Sequence, residues 1–133
     1  MPKALRPLGG IPMLVHAVRA LAASRIVDIV VVAAPEDSAE MVAAMLAEQS
    51  FQAEVVVVTG GDTRQDSVAR ALLTLPDDVD VVLVHDAARP LVPVEVVTAV
   101  AAAVRAGNDA VVPGLPVVDT IKRVDANSDV ECT

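Results

Sequence analysis

The chain has 133 residues, of which 54% are hydrophobic, and its formal net charge is −8. This length suits one domain, with a core of Val, Ala, Leu and Ile because Phe51 is the only aromatic residue. The acidic excess argues against nucleic acid and anionic membranes as partners, since polyanions require a basic surface. It does not exclude a small anion, because a few local cations and backbone N–H groups suffice to hold one phosphate.

The single cysteine, Cys132, excludes an intrachain disulfide and indicates a reducing compartment. No apolar stretch reaches the roughly 20 residues that span a bilayer, and the start of the chain lacks the pattern of a signal peptide. These features predict a cytoplasmic protein.

Apolar runs rich in β-branched residues alternate along the chain with segments of helical periodicity. The predicted helices cover residues 11–23, 37–49, 64–75 and 93–106. The predicted strands cover residues 26–34, 54–59, 80–84 and 109–113. This alternation predicts an α/β fold with a doubly wound, mostly parallel sheet. No strand is predicted before the first helix, so we expect an exposed sheet edge and a missing N-terminal strand.

The pattern changes after Pro116. Residues 117–124 alternate between apolar and polar side chains, and residues 125–129 are turn formers, so the sequence predicts a hairpin. We therefore divide the chain into an α/β domain over residues 1–116 and the start of a β-arm over residues 117–133.

Candidate functional residues follow the predicted strand 80–84. Ligands of open parallel sheets bind beyond the carboxyl ends of the strands, which is where Asp86 and Arg89 fall. Asp86 is suited to accept from ligand hydroxyls or to lie near a magnesium-bound phosphate; alternatively, it caps the following turn through the amide of Ala88 or Arg89. The planar guanidinium of Arg89 suits a phosphate, whereas His85 is interpreted as a packed strand-end residue.

A second candidate is the turn Gly60-Gly61-Asp62, which leads into the helix that contains Ser67. Paired glycines let the backbone approach a nucleotide base or phosphate closely, although the same residues also form an ordinary turn and cap. Taken alone, Lys3 is a solvated surface lysine and Thr120 a strand residue with an exposed hydroxyl.

Three motifs, in this order, carry a family resemblance: Pro2-Lys3, Gly60-Gly61-Asp62-Thr63-Arg64-Gln65-Asp66-Ser67-Val68 and His85-Asp86-Ala87-Ala88-Arg89-Pro90. They closely resemble the 2-C-methyl-D-erythritol 4-phosphate cytidylyltransferases of the non-mevalonate isoprenoid pathway. The resemblance implies a Rossmann-like nucleotidyltransferase fold, with residues 1–116 as an incomplete domain and 117–133 as the start of a dimerisation arm that is cut short. We expect the chain to lack the family's first strand, its glycine-rich loop and its C-terminal third.

The resemblance also implies a site. Lys3 matches the family's catalytic lysine at the triphosphate. The residues that match contacts to CTP are Gly61, Asp62, Ser67 and Ala87. Those that match contacts to the sugar phosphate are Asp86, Arg89 and Thr120, the last of them in the neighbouring subunit's site. The implied cofactor is Mg²⁺ bound mainly through the CTP phosphates, with no metal-binding side chains, and the implied assembly is a homodimer.

The implied reaction is attack by the phosphate oxygen of 2-C-methyl-D-erythritol 4-phosphate on the α-phosphorus of CTP, which releases pyrophosphate. Without the family's glycine-rich loop and its later arginine and lysine, we expect the 133-residue chain alone to have little activity. The nearest alternative is a ribitol 5-phosphate cytidylyltransferase, although Ala87-Ala88 favours the methylerythritol enzyme. A receiver domain, from a different class, also has an aspartate in the position of Asp86 and a proline like Pro90, but its acidic pair and lysine are not in place.

Overall fold

The computed structural model describes residues 2–132. The elements in chain order are β1 Pro7–Leu8, β2 Ile11–Pro12, α1 Met13–Ala22, β3 Ile29–Ala34, α2 Ala39–Ala47, β4 Glu54–Thr59, α3 Arg64–Leu72, α4 Val94–Arg105, β5 Arg123–Val124 and β6 Val130–Cys132. Short 3-10 turns occupy Lys3–Leu5 and Glu36–Ser38. All four predicted helices are present. None of the helices within residues 2–132 has the length and apolarity that a membrane span requires.

The centre of the fold is a βαβ unit made of β3, α2 and β4. The two strands pair in parallel, from Ile29 opposite Glu54 to Ala34 opposite Thr59. Valines dominate both strands, and β-branched side chains favour the extended backbone. Parallel strands need a crossover connection, which α2 provides. The prediction for 54–59 is confirmed, and the strand predicted for 26–34 starts at Ile29, where the ladder begins.

One face of this strand pair carries the hydrophobic core. Side chains alternate along a strand, so Val30, Val32 and Ala34 share the face that packs against α1 and α2. The buried members of the core are Leu14, Val15, Val18, Val30, Ala34, Val42 and Leu46. The α1 members recur at helical spacing, which explains why the sequence predicts this helix.

Residues 80–84 do not form the paired strand that the sequence predicts. Residues 81–84 make no backbone hydrogen bond with any part of the chain that the structure describes, and Val82 and Val84 are 47% and 56% exposed. A cleft of about 670 Å³, lined by residues of α1, α3 and α4, opens between β3 and this segment. Strand pairing needs a partner about 4.8 Å away, and none of the described strands pairs with this segment.

The strand predicted for 109–113 is also absent from the described structure, and Val112 in this segment is 88% exposed. Its residues find no neighbouring strand with which to pair. The parallel pair and its crossover helix confirm an α/β fold. The wider doubly wound sheet and the division at residue 116 stay predictions.

A small hairpin precedes the first helix, so the expectation that no strand lies there is wrong. Strands β1 and β2 pair antiparallel through Pro7 with Pro12 and Leu8 with Ile11. The connecting residues Gly9 and Gly10 have φ values of 59° and 83°, the left-handed backbone that a tight two-residue turn requires.

The predicted C-terminal hairpin is present in a short form. Strand β5 pairs antiparallel with β6, and the Asp125 Oδ1 atom accepts from the N–H groups of Asn127 and Asp129 at 2.8 and 2.9 Å. Such a carboxylate-to-backbone pattern stabilises a turn. Of the predicted strand 117–124, only Arg123–Val124 pairs. The extension of this hairpin to a second subunit stays a prediction.

Candidate functional site

The chain turns from the end of β4 into α3 through Gly60 and Gly61. The Gly60 N–H donates to the Ala34 carbonyl oxygen at 2.7 Å, which extends the strand ladder by one residue. The Gly61 N–H donates to the Ser67 Oγ atom at 3.0 Å. A Cβ atom on Gly60 would lie 2.9 Å from Ser67 Oγ, and one on Gly61 would overlap the Cβ of Asp66. The turn therefore packs against α3 because both residues lack side chains.

The first turn of α3 is capped by Thr63. Its Oγ1 atom accepts from the Asp66 N–H at 3.0 Å and donates to the Asp66 carboxylate at 2.7 Å. Ser67 Oγ donates to the Thr63 carbonyl oxygen at 2.9 Å. These contacts provide hydrogen-bond partners for backbone groups at the start of α3, where the first N–H groups of a helix have no partner within the helix. The exposed carboxylate of Asp62 makes no hydrogen bond or ion pair with the described residues, so the cap leaves it available to a ligand.

The Asp86 carboxylate joins the two principal sequence motifs. Its Oδ1 atom lies 3.3 Å from Arg64 Nη2 at the start of α3, and its Oδ2 atom lies 3.3 Å from Arg89 Nε. The Arg89 N–H donates to the Asp86 carbonyl oxygen at 2.9 Å, and the His85 ring lies 3.0 Å from the Arg89 carbonyl oxygen. The backbone thus closes this turn, and the alternative in which the Asp86 carboxylate caps it is wrong. The contact of His85 agrees with a structural role.

This Arg–Asp–Arg cluster, formed by Arg64, Asp86 and Arg89, has one uncompensated positive charge. Its side chains are 70%, 47% and 78% exposed in that order. Exposed ion pairs contribute only about 0–1 kcal/mol, so a ligand phosphate can replace the Asp86 carboxylate at little cost. Guanidinium groups present several N–H donors in a plane that matches phosphate oxygens. The cluster is therefore suited to a ligand that carries both hydroxyl groups and a phosphate.

Three predicted residues, Ser67, Asp86 and Ala87, border the cleft between β3 and residues 80–84, and Arg64 borders it with them. Ala87 is partly buried and packs against the core. Gly61 and Asp62 lie next to Ser67 on the glycine turn, and Arg89 is held by Asp86. The structure thus brings together most of the predicted nucleotide and substrate residues. We use the word crevice for the region formed by the glycine turn, the Arg–Asp–Arg cluster and the adjoining part of the cleft.

Two predicted residues are not joined to this crevice. Lys3 is exposed and begins a 3-10 turn, and within residues 2–132 it forms no hydrogen bond or ion pair with another candidate. Thr120 is exposed in an irregular segment that does not line the cleft. Their roles stay predictions.

The sequence interpretation missed two arginines. Arg64 is the first residue of α3, and Arg70 lies one turn beyond Ser67 on the same face of that helix. Arg70 donates to the Gly60 carbonyl oxygen at 2.8 Å. The signal available in the sequence was their position within the helix that follows the paired glycines.

The described residues do not form a protein-held metal site. Across residues 2–132, no group of three His, Cys, Asp or Glu side chains is arranged to hold an ion. The Asp86 carboxylate, which lines the cleft beside the glycine turn's helix, is already paired with two guanidinium groups. These donors do not fit a resident Mg²⁺ ion.

The class of protein follows from three features, which are the parallel βαβ unit, the glycine turn and the Arg–Asp–Arg cluster near the carboxyl ends of the strands. The chain is a Rossmann-like α/β protein with a crevice suited to phosphorylated ligands.

Comparison with known proteins identifies the family. Residues 1–133 match the family model described as 2-C-methyl-D-erythritol 4-phosphate cytidylyltransferase. The chain is similar to the proteins of that name from Streptomyces coelicolor, with 57% identity over 126 residues, and Frankia casuarinae, with 55% over 129 residues. These alignments cover 93% and 97% of this chain and 47% of each relative. The chain therefore belongs to the 2-C-methyl-D-erythritol 4-phosphate cytidylyltransferase family, and the resemblance of its motifs is confirmed.

A solved structure agrees with the fold. The crystal structure of 4-diphosphocytidyl-2C-methyl-D-erythritol synthase from Anaerococcus prevotii superimposes with a TM-score of 0.87 at 24% identity, over 98% of this chain and 58% of that one. The chain spans about half the length of the curated relatives it matches. Family membership leaves the receiver-domain alternative without support.

Proposed function

We propose that the protein transfers a cytidylyl group from CTP to 2-C-methyl-D-erythritol 4-phosphate, giving 4-diphosphocytidyl-2-C-methyl-D-erythritol and pyrophosphate. The observation that carries this proposal is the contact between Arg64 and Asp86, which joins both family motifs in one crevice. The proposal includes a cytoplasmic homodimer, in which residues 1–116 belong to a wider doubly wound sheet and residues 117–133 begin the arm to the partner.

The nucleotide side of the proposed site is formed by the glycine turn. The backbone groups of Gly61 and Asp62 and the Ser67 hydroxyl offer directional donors and acceptors for a pyrimidine base. Ser67 is fixed by its bonds to the Gly61 N–H and the Thr63 carbonyl, so these groups are ordered before the ligand arrives. The small side chain of Ala87 lets the nucleotide approach the adjoining wall.

The substrate side is formed by the Arg–Asp–Arg cluster. Asp86 accepts from a hydroxyl of the sugar alcohol, while Arg89 and Arg64 hold its phosphate. The substrate phosphate oxygen then attacks the α-phosphorus, the bond to pyrophosphate breaks, and no covalent enzyme intermediate forms. These residues act by positioning and by stabilising charge.

Three parts of the proposal come from the family rather than from contacts in the described residues. Lys3 neutralises charge that develops on the triphosphate, and Thr120 contacts substrate in the partner's site. Mg²⁺, held mainly by the CTP phosphates, supplies further charge neutralisation when bound.

The test is pyrophosphate release by the full-length native protein with CTP, Mg²⁺ and either 2-C-methyl-D-erythritol 4-phosphate or ribitol 5-phosphate. We expect kcat/KM to be at least about tenfold higher with the methylerythritol substrate, because pockets that hydrogen-bond a specific hydroxyl pattern discriminate strongly. A preference for ribitol 5-phosphate would favour the alternative cytidylyltransferase. Absence of turnover with both substrates would contradict the proposal.

A further inference from the structure

Arg70 makes a contact that the proposed reaction does not use. Its Nη1 atom, on the last turn of α3, donates to the Gly60 carbonyl oxygen at 2.8 Å. The side chain is exposed and pairs with no acidic group among residues 2–132. Ion pairing therefore does not account for its placement across the glycine turn.

The Gly60 carbonyl and the Gly61 N–H belong to the same peptide group. Arg70 binds the oxygen of this group at 2.8 Å, and Ser67 Oγ accepts from its nitrogen at 3.0 Å. Ser67 and Arg70 are three residues apart and so lie on one face of α3. Two side chains of a single helix thus clamp both ends of one peptide group.

Such a clamp has a physical purpose at paired glycines. Glycine has the largest backbone freedom of any residue, so an unrestrained Gly60–Gly61 peptide rotates readily. The Gly60 N–H is anchored on β3 through Ala34, which fixes the turn on one side only. Rotation of the Gly60–Gly61 peptide would change the direction of the backbone N–H and C=O groups at Gly61 and Asp62. Hydrogen bonds from these groups to a ligand would then weaken steeply, because they depend on alignment.

We propose that Arg70 is a positioning residue that holds the Gly60–Gly61 peptide in the orientation required for binding the base of CTP. This inference rests on the proposed function. Arg70 itself contacts the turn and not the reacting atoms, so its effect falls on nucleotide binding more than on the chemical step.

The test compares R70A, R70K and R19A in the full-length native protein. Arg19 is a matched control because it is also exposed, lies in the last turn of its helix α1 and donates to one uncharged oxygen, Gln49 Oε1 at 2.6 Å, but does not line the cleft. The measurements are the Kd and KM for CTP, kcat, and the exchange rate of the Gly61 amide without nucleotide.

We expect R70A to raise the Kd and KM for CTP about tenfold, the effect typical of losing a hydrogen bond from a charged donor, and to leave kcat within about twofold. The Gly61 amide should exchange faster in R70A. R70K should recover part of both effects through its single ammonium, and R19A should match the wild type.

An R70A protein with unchanged CTP affinity and unchanged Gly61 exchange would overturn the inference. Loss of CTP affinity with unaltered Gly61 exchange would also overturn the inference, and so would an equal loss of affinity in R19A, since either result indicates general destabilisation or a charge effect. If the wild type itself fails to bind CTP, the proposed function fails. The nucleotide-free exchange rates still decide whether Arg70 holds the turn.

Discussion

Gly61 lies so close to the first turn of α3 that an added methyl group would overlap the Cβ of Asp66 and lie 3.1 Å from its carbonyl carbon. Because the obstacle includes helix backbone, G61A should lower the free energy of unfolding by about 1–3 kcal/mol, the cost typical of overpacking. G114A is the matched control, since nothing lies within 4 Å of a Cβ there. Urea denaturation measures both variants, and equal midpoints would contradict the close packing of this turn.

Asp86 is the residue where both guanidinium groups of the cluster meet. D86N retains the shape of the side chain but removes its charge, so we expect kcat/KM for the sugar phosphate to fall about 100-fold, as when a preorganised electrostatic contact is lost. CTP binding should change little, because the glycine turn is unaltered. D77N, at an exposed aspartate with no hydrogen bond or ion pair to the described residues, serves as the control. Equal kinetics of the two variants would exclude Asp86 from the substrate site.

At the scale of an element, Thr63 caps the start of helix α3, directly after the glycine turn. T63A removes the acceptor of the Asp66 N–H, and we expect a loss of about 1 kcal/mol in the free energy of unfolding. T98A removes a threonine from the exposed face of α4, where alanine favours the helix, so stability should be retained or rise slightly. Urea denaturation measures both variants. An equal loss of unfolding free energy in T63A and T98A would show that the cap does not stabilise the protein more than an ordinary helix threonine.

Local patterns predicted the helices and the strands β3 and β4, because periodicity and β-branched content act within each segment. The strand predicted for 80–84 failed because pairing depends on a neighbour, which the local sequence does not specify. The contact between Arg64 and Asp86 spans 22 residues and arises only when α3 packs beside the strand-end segment. The Gly9-Gly10 hairpin was visible in principle, since paired glycines between short apolar segments favour such a turn.

At the scale of the whole molecule, the chain has 18 acidic and 10 basic side chains. Arg64, Arg70 and Arg89 lie at the glycine turn and the Arg–Asp–Arg cluster, together with Asp62, Asp66 and Asp86. The acidic excess disfavours extended polyanions, whereas a short phosphorylated ligand needs only a few guanidinium and backbone N–H groups, such as those at Arg64 and Arg89. The prediction that nucleic acid is not a partner is therefore consistent with the proposed nucleotide site.

The cleft lies between the hydrogen-bonded strands β3 and β4 on one side and residues 80–84, which do not pair with a described strand, on the other. The Glu54 amide donates to the carbonyl of Asp28, just before β3, and the Gly60 amide donates to that of Ala34 at the end of β3. Every second amide of a parallel strand faces the same neighbour, so the amides of Val56 and Val58 belong to the same ladder. The amides of Val82 and Val84 have no backbone acceptor. In the 133-residue chain we expect the amide hydrogens of Val82 and Val84 to exchange at least about 100-fold faster than those of Val56 and Val58. Amides without a hydrogen bond exchange with solvent without any opening of the fold.

Amide exchange followed by NMR at two protein concentrations makes this comparison decisive. Fast exchange of Val82 and Val84 at both concentrations supports a cleft that separates the segment from β3. Protection that grows with concentration would mean that the segment pairs with a second copy, since exposed unpaired backbone is a template for strand addition. Concentration-independent protection equal to that of Val56 would contradict the cleft, because it requires a hydrogen-bonded neighbour within the same chain.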